Sequence, residues 1–298
     1  MKVKLIALIH LFLTLSLTAC ASEFNAENNI ISTSDTLRIA TYNVRIKTTS
    51  DTEGRAWKNR KKQVAKVINT HAFDVFGVQE IINNSQESDL KNLLPSFNHI
   101  SKGRNDDEGK TGERLAIFFN KKRFTEQENG FFFLSETPEK ASKGWDADLN
   151  RICIWIKLYD KITNKSFYFF NVHFDHIGVT ARTESAKLVV AKIKAIAGTK
   201  TAFCVGDFNA SPAEPKVYSA MTSYMADSRA TSETSPSGPV GTFNGWDVAS
   251  ATFSENVKID YIYTNKVQTF SYAVLNDKYV TTNYPSDHFP VMISCKLQ

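Results

Sequence analysis

Apolar and polar residues alternate in short runs along most of the chain. Such runs, rich in β-branched and aromatic residues, predict strands at 37–44, 74–79, 115–120, 152–158, 166–174, 201–206, 259–264 and 289–295. Other stretches carry a helical period. In 181–197, Ala186, Val189, Ile193 and Ile196 recur at helical spacing, and Gly198 suits the stop. In 57–69, Trp57, Val64, Val67 and Ile68 form an apolar stripe, while Lys58, Arg60, Lys61 and Lys62 read as a solvated face. A further helix is expected around 86–94. Strand pairs mixed with helices predict an α/β (α+β) protein of two stacked sheets covered by helices.

No repeat and no linker divides 36–298. The turn-rich segment 231–245 reads as a long loop, because strand-like sequence continues on both sides, and 101–114 is a second polar stretch. One domain of about 260 residues is therefore expected. With 42% hydrophobic and 22% charged residues, wholesale disorder is excluded, and 13 Gly and 8 Pro exclude a collagen-like or low-complexity chain.

The first twenty residues have another character. Lys2 and Lys4 open a short positive start, and an apolar run at 5–17 is too short to span a bilayer comfortably. The run ends in Leu17-Thr18-Ala19-Cys20, which resembles a bacterial lipobox. That resemblance implies cleavage before Cys20, lipidation of Cys20 and export to the bacterial cell envelope, with the membrane as a partner through the lipid anchor. An ordinary signal peptide is the alternative. Residues 21–35 are polar and aperiodic and read as a tether. Loss of Lys2 and Lys4 with the leader lowers the net charge from +5 to +3, too mild by itself to indicate nucleic acid. Of the 4 Cys, those at 153, 204 and 295 lie in apolar runs and read as buried free thiols.

The informative pattern is where polar residues fall against the strands. Asn43 lies near the end of the first strand, Glu80 follows the second, His173 ends the fifth, and Asp207 and Asn209 follow the sixth. Asp260 and the pair Asp287-His288 instead stand near the beginnings of the last two strands. If those strands run antiparallel to the earlier ones, all these groups meet at one edge. A cluster of Glu, Asp, Asn and His with little Cys suits a hard divalent cation, Mg²⁺ first and Mn²⁺ second. Zinc is disfavoured, with no Cys cluster and no His pair at zinc spacing.

The segments Ala40-Thr41-Tyr42-Asn43, Gly77-Val78-Gln79-Glu80, Gly206-Asp207-Phe208-Asn209-Ala210, Ile259-Asp260-Tyr261-Ile262 and Ser286-Asp287-His288-Phe289-Pro290-Val291 resemble, in order, the motif series of the endonuclease/exonuclease/phosphatase superfamily. The resemblance implies a four-layer sandwich of two mixed β-sheets flanked by helices, and divalent-metal-dependent phosphoester hydrolysis. It would make Glu80 the principal metal ligand, with Asn43 beside it and Asp287 assisting. Asp207 would position or deprotonate the attacking water, and Asn209 would hold the phosphate or that acid. His288, held by Asp260, would contact the scissile phosphate. His173 would donate to a phosphate oxygen, and Arg151 would add positive charge there.

Further residues bear on the substrate. His173-Phe174-Asp175-His176 is richer than the single His expected at that place, so Asp175 and His176 are candidate substrate contacts; the alternatives for His176 are a second cation site, or capping and packing. Trp145, Asn244 and Trp246 stand in aromatic–polar loops that would line a sugar or base pocket, or act as core lids. Arg114 would reach a phosphate, whereas Arg182 reads as a structural ion pair. The chain shows no long basic stripe with interleaved aromatics, so a small or lipid-linked phosphoester is favoured over DNA or RNA. A monomer is expected. A nuclease and a non-catalytic binding lipoprotein on the same fold are the competing readings; the full acid, amide and His set argues against the binder.

Overall fold

In the β-strand segments, alternate side chains point to opposite faces, so a strand covered on both sides is apolar throughout. In Ile152–Asp160, Ile152, Ile154, Ile156 and Leu158 enter one core while Cys153 enters another. A computed structural model describes residues 35–52, 54–82, 85–247, 254–278 and 284–298. The leader 1–20, Cys20 and the tether up to residue 34 lie outside the described residues.

The first sheet uses β1 (Leu37–Asn43), β2 (Val75–Ile81), β3 (Phe97–Gly103), β4 (Arg114–Asn120), β11 (Val267–Val274) and β12 (Val291–Leu297), in the order β11-β12-β1-β2-β4-β3. The second uses β5 (Phe124–Phe133), β6 (Ile152–Asp160), β7 (Lys165–His173), β8 (Ala202–Asp207), β9 (Ala226–Asp227) and β10 (Asp260–Asn265), in the order β5-β6-β7-β8-β10-β9. Each sheet has one parallel pair, β1–β2 and β7–β8, bridged by the helices α1 (Trp57–Thr70) and α3 (Val179–Ala197). The other pairings are antiparallel, so both sheets are mixed.

Three apolar cores make the layers. Ile39, Val75 and Ile293 of the first sheet meet Ile154, Phe167 and Phe203 of the second between the sheets. α1 and α2 (Gln86–Leu93) cover the outer face of the first sheet through Val64, Ile68 and Leu90. α3 and α4 (Pro215–Thr222) cover the second through Val189, Ile193, Val217 and Met221. Two six-stranded mixed sheets flanked by four helices form the sandwich among the described residues. Cys153, Cys204 and Cys295 are buried and free. Arg182 forms the expected ion pair, on Glu214 at 2.9 Å.

The sequence pattern missed β3, β5, β9, β11 and α4, and it misassigned Arg60. That side chain is fully buried within α1 and is not part of a solvated face.

Candidate active site

The two sheets are pinned together by amides just below one edge. Asn171 donates to the carbonyls of Val78 (3.0 Å) and Ala116 (2.9 Å), and Gln79 donates to Asn171 Oδ1 (2.6 Å) and Thr41 Oγ1 (3.0 Å). Gly77 is needed for this approach, since a Cβ there would stand 2.8 Å from Asn171 and from Val205. At the same edge, β12 pairs antiparallel with β1 and β10 antiparallel with β8. Strand ends of one polarity therefore meet strand beginnings of the other. Asp260 lies opposite Asp207, which also lies opposite His173.

Local backbone distortion aims two of the acids. The β2–β4 register shifts between Val78 and Ile81, a bulge that contains Glu80 at φ 60°. Gly206 has φ 147°, and a Cβ there would meet the Val172 carbonyl oxygen at 2.1 Å, so glycine is required just before Asp207.

Asp207 is the hub. Its Oδ1 accepts the Asn209 backbone N–H at 2.8 Å, and its Oδ2 accepts the Asn43 amide at 3.0 Å. Two imidazoles face that same Oδ2, His173 Nε2 and His288 Nε2, each at 3.7 Å. Each ring is backed by a carboxylate: His288 Nδ1 lies 2.9 Å from Asp260, and His173 Nδ1 lies 3.2 Å from Glu113. Asn43 also donates to Glu80 at 3.0 Å, and Glu80 accepts the Ile46 backbone N–H at 2.9 Å.

The electrostatics separate the two histidines. Burial alone would lower both, but Asp260, Asp207 and Asp287 push His288 up to about 10. Burial together with the nearby Arg151 takes His173 down to about 3. The two rings are thus pushed in opposite directions. Burial raises the Asp207 carboxyl, and Asp260 raises it further. Glu80 is pushed up by burial but held below the ordinary carboxylate range, chiefly by His173, with help from His288 and Asn43.

A cleft of about 360 Å³ opens over these groups, lined by Glu80, His173, Asp207, Asn209, Asp287, His288, Arg151 and His176. Glu113, Leu149, Phe243 and Ile259 also line it, as does Arg45, whose guanidinium lies 3.7 Å from Asp287. Sequence reasoning missed Arg45 and Glu113. Arg45 lies two residues beyond Asn43, and Glu113 lies within the polar stretch 101–114, so neither carries a strand-end signal.

The structure separates the remaining expected site residues from the cleft wall. Asn43 and Asp260 sit behind it, where they orient Glu80, Asp207 and His288. Arg114 is turned away, paired with Glu87 at 2.9 Å and bonded to Ser101, so it does not reach toward a phosphate. Asp175 is saturated by backbone N–H groups of Asp148, Leu149, Ile177 and Gly178 and organises loops without contacting the cleft. Asn244 is buried, its amide on the Ser286 carbonyl, where it fastens the Asp287 loop. Trp246 lies under Arg55 and Arg60, and the Trp145 backbone N–H donates to Glu136.

The donor set suits a divalent cation. Glu80, His173 and Asp207 offer ligand atoms within 4.8 Å of one another, and Asp207, Asp260 and His288 form a second such group. Oxygen donors predominate, and the buried Asp260 Oδ1 has no hydrogen-bond partner.

Residues 40–288 match the family model described as the Endonuclease/Exonuclease/phosphatase family. The chain is similar to the crystal structure of an endonuclease/exonuclease/phosphatase family protein from Bacteroides thetaiotaomicron, at 39% identity and TM-score 0.83, covering 88% of this chain and 98% of that one. It is similar to a mannosyl-6-phosphatase from the same organism, at 39% identity and TM-score 0.81, covering 87% of this chain and 99% of that one. An uncharacterized protein of Acanthamoeba polyphaga mimivirus is 24% identical over 252 residues, 80% of this chain and 91% of that protein.

Proposed function

This chain belongs to the endonuclease/exonuclease/phosphatase family, and we propose that it is a divalent-metal-dependent phosphatase of small phosphoesters, sugar phosphates foremost. The observation that carries this is the convergence of two carboxylate-backed imidazoles on one buried aspartate, beside Glu80, in a cleft of about 360 Å³. A cleft of that size suits one small phosphoester. The 39% identity to a mannosyl-6-phosphatase supports a sugar as the carrier of the phosphate.

Glu80, with Asp207 and His173 at hand, would hold Mg²⁺ or Mn²⁺. The bound ion supplies Lewis-acid neutralisation of phosphoryl charge. The His288 imidazolium donates from Nε2 to a phosphoryl oxygen, while Asp260 fixes the ring and its charge. Arg45 adds cationic charge beside Asp287. Asp207, with its carboxyl raised, accepts a proton from the attacking water as the water oxygen bonds to phosphorus and the ester P–O bond breaks, and that proton then passes to the departing alkoxide, which leaves as the alcohol. Asn209 holds Asp207 through its backbone N–H. The leader with Lys2, Lys4 and Cys20 supports export and lipid anchoring in the envelope as part of the same proposal.

The test is phosphate release from mannose 6-phosphate, p-nitrophenyl phosphate and bis-p-nitrophenyl phosphate, with Mg²⁺, Mn²⁺ or EDTA, alongside plasmid and single-stranded DNA. Metal-dependent release from the monoesters, abolished by EDTA, is expected. Cleavage of DNA or the diester with inert monoesters would overturn the phosphatase assignment.

A further inference from the structure

Asp175 builds one wall of the cleft without facing it. Besides its backbone N–H contacts, it lies 3.4 Å from Arg151 Nε and so orients that guanidinium. Arg151 in turn donates from Nη2 to His176 Nδ1 at 3.1 Å. Arginine has no acceptor, so His176 Nδ1 must be the unprotonated nitrogen, and the neutral ring carries its proton on Nε2, pointing away from Arg151. Arg151 Nη1 is buried and has no hydrogen-bond partner. Arg151 is 4% exposed, whereas His176 is exposed, and both line the cleft beside Leu149. Two donors with unspent capacity, one deep and one at the rim, thus share the cleft lining with an apolar side chain.

The charge balance narrows what these donors would bind. Two guanidiniums, Arg151 and Arg104, are matched by two carboxylates, Asp175 at 3.4 Å from Arg151 and Glu113 at 2.9 Å from Arg104 and 3.9 Å from Arg151, so this wall has no surplus positive charge for a second anion. It suits neutral oxygen acceptors set beside C–H surface, the chemistry of a sugar ring. We propose that Arg151, His176 and Leu149 form a subsite that reads the hydroxyl or ring oxygens of a sugar attached to the scissile phosphate, and so set substrate preference. This rests on the phosphatase reading above. Arg151 and His176 are specificity-determining residues in it, and Asp175 is their positioning residue.

The experiment compares kcat/KM for mannose 6-phosphate with that for phenyl phosphate, with Mg²⁺, in the wild type, His176→Ala and His176→Gln. The ratio of the two is expected to fall about tenfold in His176→Ala, the size of one lost hydrogen bond, mainly through KM for the sugar phosphate. His176→Gln, which keeps a side-chain N–H donor, is expected to restore the ratio to within about threefold of wild type. His176 is exposed, so neither variant threatens the fold. Equal losses on both substrates, or no change in ratio, would overturn the subsite while leaving the phosphatase reading intact. Absence of metal-dependent hydrolysis of either ester in the wild type would instead remove the phosphatase reading, and the subsite with it.

Discussion

Replacing Arg60 with methionine should destabilise the protein by about 3 kcal/mol, although α1 looks from its sequence as if it points this residue to water. Its guanidinium is fully buried. It donates to the carbonyls of Arg55 (2.8 Å), Arg45 (2.7 Å), Pro285 (3.3 Å) and Val44, and it stacks 5.0 Å from the Trp57 ring. The carbonyl of Arg45 keeps a second donor in Gln86, at 2.8 Å. Those of Val44, Arg55 and Pro285 lose the guanidinium. Each weakened buried carbonyl costs about 1–3 kcal/mol, and the cation–π contact adds about 1. Methionine regains part of this by burying its own apolar surface and by removing the desolvation cost of the guanidinium. Because Arg60 ties the exit of β1 to the loop ahead of His288, turnover should also fall in the fraction that remains folded. Urea denaturation followed by fluorescence measures the stability change, with the exposed Lys62→Met as control, expected within about 0.5 kcal/mol. A loss below about 1 kcal/mol for Arg60→Met would refute the tie.

Three further outcomes are expected. Glu80→Gln, Asp207→Asn and His288→Ala should each lower kcat/KM on p-nitrophenyl phosphate by at least about 100-fold while circular dichroism stays native. Gly206→Ala should cost more than about 3 kcal/mol, since φ 147° and a Val172 oxygen 2.1 Å from the new Cβ leave it no room; a melting temperature within a degree of wild type would count against this. Glu87 is held down to about 2: burial works against this, but His99, Ser101 and Arg114 outweigh it. Its folded-state value is below its unfolded one, so its stabilisation is present above about pH 4.5 and is lost as pH falls toward 2. Discounted for partial exposure, that is about 1 kcal/mol. Glu87→Gln should therefore weaken urea resistance at pH 7 and leave it nearly unchanged at pH 2.5; equal effects at both would refute the linkage.

The strands legible in the sequence and those that were not divide along one physical line. The eight expected strands correspond to β1, β2, β4, β6, β7, β8, β10 and β12, which all lie inside their sheets. The four that escaped, β3, β5, β9 and β11, are the sheet edges. Edge strands carry polar and exposed residues that blunt unwanted pairing, which erases the apolar signal. β5 shows this in Thr125–Asn129, which is exposed throughout. The site was legible wherever an acid, amide or His closed a buried strand, as at Asn43, His173 and Asp207. It was illegible where function depends on tertiary approach. Glu113, just ahead of β4, backs His173 of β7 in the other sheet, and Arg45 lies against Asp287. Asp175 and Asn244 carried a chemical signal, yet burial and backbone N–H groups commit Asp175 to loop structure, and the Ser286 carbonyl commits Asn244 to it.

Anomalous diffraction from crystals soaked in Mn²⁺ and phosphate would show whether side chains from both sheets gather around one divalent cation to cleave a phosphoester. A manganese peak in coordination range of Glu80, with phosphate between it and His288, is expected. A peak away from Glu80, or phosphate bound elsewhere with this cleft empty, would contradict it.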